Sequence, residues 1–186
     1  MEIINQTIET TDFSLHHPEK YYVYCQFKHC NFAQVSLNDI IFENCTFNTC
    51  DFSLAKMKNT SWHSVIFNDC KLIGIDFSAC NPFSSFHFER CQLSYTNFHG
   101  MKIKQTCFIE CDMTETYFSE ADLEGARFNQ CNLDRALFHH SNLTGADFSS
   151  AYNLSLVPSN NKLKNAIFSR FNLEGLVAHL GIKLKD

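Results

Sequence analysis

The chain has 186 residues and a formal net charge of −5, a length sufficient for one domain with a sizeable core. Phenylalanine occurs 19 times and cysteine 10 times, against 6 glycines and 3 prolines. No apolar run approaches the roughly 20 residues that span a bilayer, and the acidic N-terminus lacks the basic segment of a secretory signal. We therefore expect a cytoplasmic protein, without membrane contact, whose cysteines are reduced thiols.

Charge is distributed unevenly along the chain. Residues 1–153 carry 18 acidic and 10 basic side chains, a net of −8, whereas residues 154–186 carry 2 and 5, a net of +3. An acidic body disfavours direct nucleic-acid binding, which needs Lys and Arg to neutralise phosphates. Residues 1–20 contain Pro18 and no regular apolar spacing, and we expect them to cap the N-terminal end of the domain.

Residues 21–153 are one long repeat with a period of five, which fits neither a helix nor a simple strand. A one-residue insertion at residues 80–83 shifts the register once. The large apolar residues, spaced by five on each side of this break, are all expected to point inward. They are Phe27, Phe32, Leu37, Phe42, Phe47, Phe52, Met57, Trp62, Phe67, Leu72 and Phe77, then Phe83, Phe88, Leu93, Phe98, Ile103, Phe108, Met113, Phe118, Leu123, Phe128, Leu133, Phe138, Leu143 and Phe148.

A second inward row, mostly of small or β-branched residues, lies two positions before each large residue and contains nine of the ten cysteines, Cys107 being the exception. Three cysteines before the break and three after it are spaced by twenty, which indicates four pentapeptides per turn. The motif Cys25–His29–Cys30 is thereby divided between the inside and the outside of a coil. Stacked cysteines suit neither a disulfide nor a tetrahedral zinc site, so we interpret the cysteines as packing residues.

The runs SEADLEGARF (119–128), NQCNLDRALF (129–138) and HHSNLTGADF (139–148) resemble the pentapeptide-repeat family, whose consensus is A(D/N)LXX. The resemblance covers residues 21–153 and, more weakly, residues 163–175. It implies an all-β fold, a right-handed quadrilateral parallel β-helix with twenty residues per coil. About seven coils would form a rod on the order of 35 Å long.

The sequence contains no catalytic or phosphate-binding motif, and a rod with a filled interior offers no substrate pocket. We therefore expect no enzyme activity, no cofactor and no metal site. Six acidic residues fall within fifteen positions that contain no Lys or Arg, and we weigh a contact that imitates DNA against an ordinary solvated surface. They are Glu110, Asp112, Glu115, Glu120, Asp122 and Glu124.

The length, the Phe-rich repeats and the ending FNLEGLVAHLGIKLKD (171–186) resemble the quinolone-resistance branch of the family. The resemblance implies a DNA gyrase or topoisomerase IV partner, protection from quinolones or toxins, and a helical C-terminal segment within residues 154–186 that pairs two rods as a homodimer. The alternative is a cap folded on its own last coil. The implied dimer contacts are Leu173, Leu176, Val177, Leu180 and Ile182.

Two departures weaken the functional expectation. The plasmid-borne members of that branch carry two sizeable loops, whereas the regular body here has only the insertion at residues 80–83. Duplex DNA of roughly 35 Å carries about 20 charges, whereas residues 1–153 have a net of −8. Mimicry could then be only local and partial, and the second hypothesis is a general protein-interaction scaffold with an unknown partner.

Overall fold

A computed structural model describes residues 2–183, which wind into a parallel β-helix with four faces. We number the faces by their inward columns: face 1 contains Phe27, face 2 Phe32, face 3 Leu37 and face 4 Phe42. The strands are β1 (Glu2–Ile4), β2 (Thr7–Glu9), β3 (Tyr21–Val23), β4 (Gln26–Lys28), β5 (Ile41–Glu43), β6 (Thr46–Asn48), β7 (Ser61–His63), β8 (Val65–Asn68), β9 (Phe86–Glu89), β10 (Cys107–Ile109), β11 (Arg127–Asn129), β12 (Asp147–Phe148) and β13 (Ile167–Phe168).

Face 1 is a nine-stranded parallel sheet in the order β13-β12-β11-β10-β9-β8-β6-β4-β2, and face 4 begins with the four-stranded sheet β1-β3-β5-β7. Faces 2 and 3 are held by single parallel bridges such as Asp51↔Lys71 and Asn97↔Tyr117. Nine stacked strands make about eight turns, one more than the repeat predicted, and a ladder about 38 Å long at the usual strand spacing. The predicted β-helix is thus confirmed.

The additional turn comes largely from the N-terminus. Residues 2–13 already follow the path of the solenoid: Ile3 pairs with Tyr22, and the ring of Phe13 stacks on Phe32 with centroids 4.3 Å apart. Their spacing to the next coil is nineteen rather than twenty, which hides them from a search for the regular period. The segment expected to cap the N-terminal end is therefore built, in its first part, as a coil.

The interior is a set of stacked aromatic and aliphatic columns. Phe108 lies between Phe88 and Phe128, with ring centroids 5.3 and 5.1 Å apart and the ring planes within 12° of parallel. Such pairs contribute about 0.5–1.5 kcal/mol each beyond their burial. Edge-to-face pairs such as Phe47–Phe52, 5.1 Å apart, add contacts within a coil. Because the stacked rings come from successive coils, much of the packing energy nevertheless resides between coils.

The second inward row also bonds between coils. The hydroxyl of Thr116 donates to the carbonyl of Leu93 at 2.9 Å, and the thiol of Cys70 donates to the carbonyl of Phe47 at 3.4 Å. All ten cysteines are free thiols, and burial raises the pKa of Cys45 to about 12, so that its thiol stays protonated. Cysteine, threonine and serine therefore perform the same structural task in this row.

The corners lie two residues after each large side chain and adopt a left-handed backbone. His29 is one such residue, with φ of 53°, a conformation that costs roughly 1–2 kcal/mol outside glycine. The conformation aims the His29 N–H at the carbonyl of Asn48 in the next coil, 3.0 Å away. Backbone strain at the corners is thus offset by hydrogen bonding between coils.

The prediction for Phe83, in the insertion at residues 80–83, is wrong. Phe83, predicted to point inward, is 78% exposed, whereas Ser84 is 4% exposed. The amide of Phe83 donates to the side-chain oxygen of Asn81 at 3.0 Å, which closes a turn after Pro82 and directs the ring outward. The ring of Phe86 lies 6.4 Å from that of Trp62 and replaces Phe83 in the core.

Two serine hydroxyls replace backbone carbonyls at this insertion. Ser84 Oγ accepts a hydrogen bond from the Trp62 amide at 3.3 Å and donates to a carbonyl within the turn at 2.7 Å. Ser85 Oγ accepts from the Ser64 amide at 2.8 Å. On face 4 the strand ladder stops at β7 and bridging resumes at Lys102. A groove of about 460 Å³ lies between residues 84–86 and residues 102–106.

The C-terminal end is capped by a short helix, as the sequence predicted. Helix α1 (Leu173–Val177) is flanked by 3-10 turns at Arg170–Asn172 and Ala178–Leu180; further 3-10 turns are Phe77–Ala79 and Pro158–Asn160. The buried side chain of Asn172 donates to the carbonyl of Ala151 at 3.0 Å. Across the described range 2–183, no helix is long and apolar enough to cross a membrane.

Replacing Ser84 by alanine should lower the free energy of unfolding by about 1–3 kcal/mol, because the buried Trp62 amide loses its acceptor. Ser85→Ala is the matched control, and it should cost less because water can reach the exposed Ser64 amide. Urea unfolding of both variants measures the difference. Equal losses would show that the buried serine has no special role in the turn.

Candidate protein-binding surfaces

The six acidic residues predicted as a partner contact are spread around the rod instead of forming one patch. Glu110, Glu115 and Glu120 occupy three successive corners, with φ of 52°, 54° and 60°. Asp112 lies on face 2. Asp122 lies on face 4, where its backbone pairs with that of Lys102 in a parallel β-bridge. The structure therefore places them on a belt that follows most of one coil, which we call the acidic belt.

Cations from neighbouring coils neutralise part of the acidic belt. Lys104 Nζ lies 2.7 Å from Glu124 Oε2 and 3.3 Å from Asp122 Oδ2, and these carboxylates raise the pKa of Lys104. Arg135 Nη2 lies 3.1 Å from Glu115 Oε1. The sequence window contained no Lys or Arg, but residues twenty positions apart are neighbours in this fold.

Two members of the acidic belt accept hydrogen bonds from side chains of the next coil. Asp112 Oδ1 accepts from the hydroxyl of Thr114 at 2.7 Å and from the amide side chain of Asn132 at 3.1 Å. Asp122 Oδ1 accepts from Asn142 at 2.8 Å. Glu110 and Glu120 are exposed, and no hydrogen bond or ion pair links their carboxylates to the rest of residues 2–183.

The C-terminal end carries an exposed apolar surface. Its members, which we call the terminal patch, are Phe171 (96% exposed), Leu173 (54%), Leu180 (60%) and Ile182 (53%). Of the other two predicted dimer residues, Val177 is half-buried and Leu176 packs against the core of the last coil. Phe171 was not among the predicted dimer contacts, although it is the first residue of the segment 171–186 that resembles the quinolone-resistance branch.

Contacts behind the terminal patch hold helix α1 on the solenoid. The carbonyl of Gly175 accepts from the amide of Leu156 and from the hydroxyl of Ser155, both at 3.3 Å. A Cβ atom at position 175 would lie 1.7 Å from the carbonyl oxygen of Leu154, so only glycine allows this approach. The same helix therefore caps the rod with one side and exposes the other.

The remaining polar groups do not converge on a centre. Within residues 2–183, no group of three or more His, Cys, Asp or Glu side chains could hold a metal ion. The outward Cys107 receives Arg127 Nη2 at 2.8 Å, and His139 contacts Asn160 at 3.3 Å. These contacts are isolated pairs on the outside of a filled rod.

The family assignment follows from sequence profiles. The profile described as pentapeptide repeat region matches residues 23–82 and 81–152. The chain belongs to the pentapeptide-repeat family. No curated protein sequence matches it.

Solved structures share the fold. A trypsin-treated variant of QnrB1, described as a plasmid-mediated fluoroquinolone resistance protein, superposes with a TM-score of 0.64 at 18% identity, over 100% of this chain and 98% of that one. Full-length QnrB1 superposes with a TM-score of 0.52 at 20% identity, over 98% and 100%. At these identities the likeness establishes the pentapeptide-repeat solenoid, not a shared partner.

The two kinds of acidic residue should differ in their effect on stability. Asp112→Ala leaves the Thr114 and Asn132 donors without their acceptor and should cost about 1 kcal/mol. Glu110→Ala should change stability by less than about 0.5 kcal/mol, because its carboxylate is solvated. Thermal unfolding of the two variants at neutral pH compares them. A loss at Glu110 as large as that at Asp112 would contradict the distinction.

Proposed function

We propose that the protein is a non-enzymatic binding protein whose partner is a type II topoisomerase, DNA gyrase or topoisomerase IV, and that it protects this enzyme from quinolones or toxins. Its full-length likeness to a fluoroquinolone resistance protein supports the proposal. A second support is the rod itself, about 38 Å long and with a net charge of −8 over residues 1–153. Such a rod offers a protein a cylinder with acidic corners, as a short duplex does.

The imitation of DNA must be local. A duplex as long as the rod carries about 20 charges, and three of the six belt carboxylates are paired with Lys104 or Arg135. The exposed carboxylates of Glu110 and Glu120 are those best placed to meet a basic partner surface. We therefore expect shape to contribute more than charge, and salt to weaken binding less steeply than it weakens binding to DNA.

A supercoiling assay with purified gyrase tests the proposal. The protein should inhibit supercoiling and relieve inhibition by a fluoroquinolone. The double variant Glu110→Gln/Glu120→Gln should weaken both effects several-fold, whereas Lys104→Gln, which makes the belt more acidic, should strengthen them.

The matched control is Glu2→Gln/Glu43→Gln, which changes net charge equally but lies in the N-terminal half of the rod; it should behave as the unaltered chain. Absence of inhibition and of quinolone relief over a wide concentration range would end the proposal. If the control variant weakened gyrase inhibition and quinolone relief as much as the belt variant, the cause would be net charge in general rather than a contact at Glu110 and Glu120.

The second candidate function is a scaffold for another protein, and one feature favours it. The ring of Phe83 is 78% exposed at the insertion that borders the 460 Å³ groove on face 4. An outward aromatic ring has no counterpart on a DNA surface and suits an apolar protein contact. Repeated capture of one other protein, without topoisomerase and dependent on Phe83, would favour the scaffold.

We also propose that two rods pair through the terminal patch. The exposed side chains of Phe171, Leu173, Leu180 and Ile182 form an apolar surface at one end of the rod, and a C2 pairing would remove it from water on both copies. The docked side of helix α1 already covers the last coil through Leu176. Capping and pairing are therefore compatible roles of one segment.

Light scattering at micromolar concentration tests the dimer. Leu180→Asp should give a monomer with an intact solenoid, because this side chain is outside the docked contact. Gly175→Ala should lose both the dimer and stability, since the new Cβ displaces the helix from Leu154. Leu15→Asp, at a residue 77% exposed in the N-terminal loop, is the control and should remain dimeric. A monomeric unaltered chain would refute the pairing.

A further inference from the structure

The interior contains a continuous row of thiols that the proposed function does not use. It runs through six successive coils and crosses the register break without a gap, because β8 and β9 stay paired there. We call it the cysteine column; its members, all buried and free, are Cys30, Cys50, Cys70, Cys91, Cys111 and Cys131. A shorter column consists of Cys25 and Cys45.

The spacing of the column is set by the solenoid. Neighbouring strands lie about 4.8 Å apart, and the stacked rings of Phe27 and Phe47 have centroids 4.6 Å apart. The sulfur of Cys70 lies 3.4 Å from the backbone nitrogen of Cys50, directly over the coil below. Sulfur atoms in one row are therefore about one strand spacing apart, far beyond the ~2.05 Å of a disulfide, and their Cβ vectors run parallel.

This spacing fits a different bond. The bond between the d10 cation Zn²⁺ and a thiolate is about 2.3 Å long, so two collinear bonds of this length span about 4.6 Å. Four ligands around a point, which zinc requires, are absent from a straight row. Thiolates also select soft metals over hard ones. The column therefore matches linear two-thiolate coordination along the axis of the rod.

Charge decides which soft cation suits a buried site. A divalent ion that replaces two thiol protons forms two metal–sulfur bonds, releases two protons to solvent and leaves a neutral complex. A monovalent ion would leave a negative charge in an apolar interior, which is costly. We propose that adjacent cysteines of the column bind a soft divalent cation such as Hg²⁺ in linear two-thiolate coordination.

The arrangement fixes the stoichiometry. Six thiols taken in pairs hold three ions, and the pair Cys25–Cys45 holds a fourth. Cys80 has Thr60 and Met101, not cysteines, as its row neighbours, and Cys107 points outward. Each of these two thiols can form only one bond to a mercury ion, and an added monothiol should remove an ion held by a single bond.

The test uses the full reduced chain, titrated anaerobically with mercuric chloride and then washed with a monothiol. Native mass spectrometry should count four retained ions, and X-ray absorption should find two sulfur ligands at about 2.3 Å. Far-ultraviolet circular dichroism should be unchanged and the melting temperature raised, because the ion links successive coils of the folded state.

Two alanine variants make the count specific. Cys91→Ala divides the column into three and two thiols, which hold one ion each, so the total should fall from four to three. Cys80→Ala, an equally buried cysteine outside the column, should keep four. Alanine already occupies the same row at Ala121 and Ala126, so both variants should fold.

Several results would overturn the proposal. They are no retained mercury, loss of the solenoid dichroism as mercury binds, three or four sulfur ligands per ion, or an equal loss of mercury in the two variants. None of these measurements depends on a topoisomerase, so the metal site and the proposed function can fail independently.

Discussion

The constraint that governs this molecule is that no coil is complete alone. Each coil sends corner amides such as His29 N–H to the next coil, stacks its rings on those of its neighbours and directs small-row donors such as Thr116 at a carbonyl of the coil before. Most of these contacts therefore lie between coils, and stability is largely a sum over neighbouring pairs. Any residue type that makes these contacts is acceptable, which explains why both thiols and hydroxyls occur in the second inward row.

The same constraint determines the surface. Outward side chains meet residues twenty positions away, so that electrostatic partners belong to columns rather than to segments of sequence. Lys104 and Arg135 neutralise carboxylates that have no basic residue near them in the chain. The surface therefore presents a few free corner carboxylates and an apolar end, rather than a continuous acidic field. Under the proposed function, the shape of the rod and the free corner carboxylates determine recognition, and the terminal patch serves the pairing of two rods.

The repeat and the inward cysteines could be predicted because each depends on a period visible in the sequence, whereas the helical ending was implied by the family resemblance of residues 171–186. Three features could not be predicted. The first coil is offset by nineteen residues; Phe83 turns outward because Asn81 and Ser84 supply hydrogen bonds that no spacing rule reveals; and the ion pairs of the belt require the final register. Local deviations decide these features, whereas the period describes only the regular part.

The interruption on face 4 gives the rod a mechanical property. From the coil of β7 to the next coil the pairing of faces 1, 2 and 3 continues, through β8–β9, Lys71↔Gln92 and Asp76↔Asn97. On face 4 the Trp62 amide instead donates to Ser84 Oγ, beside a backbone bond from the Ser85 amide to the Trp62 carbonyl. Local opening requires the least free energy where buried contacts are few and backbone hydrogen bonds are exposed. Face 4 should therefore open before the other faces at residues 81–85, so that the rod bends there while its other three faces keep the two halves joined.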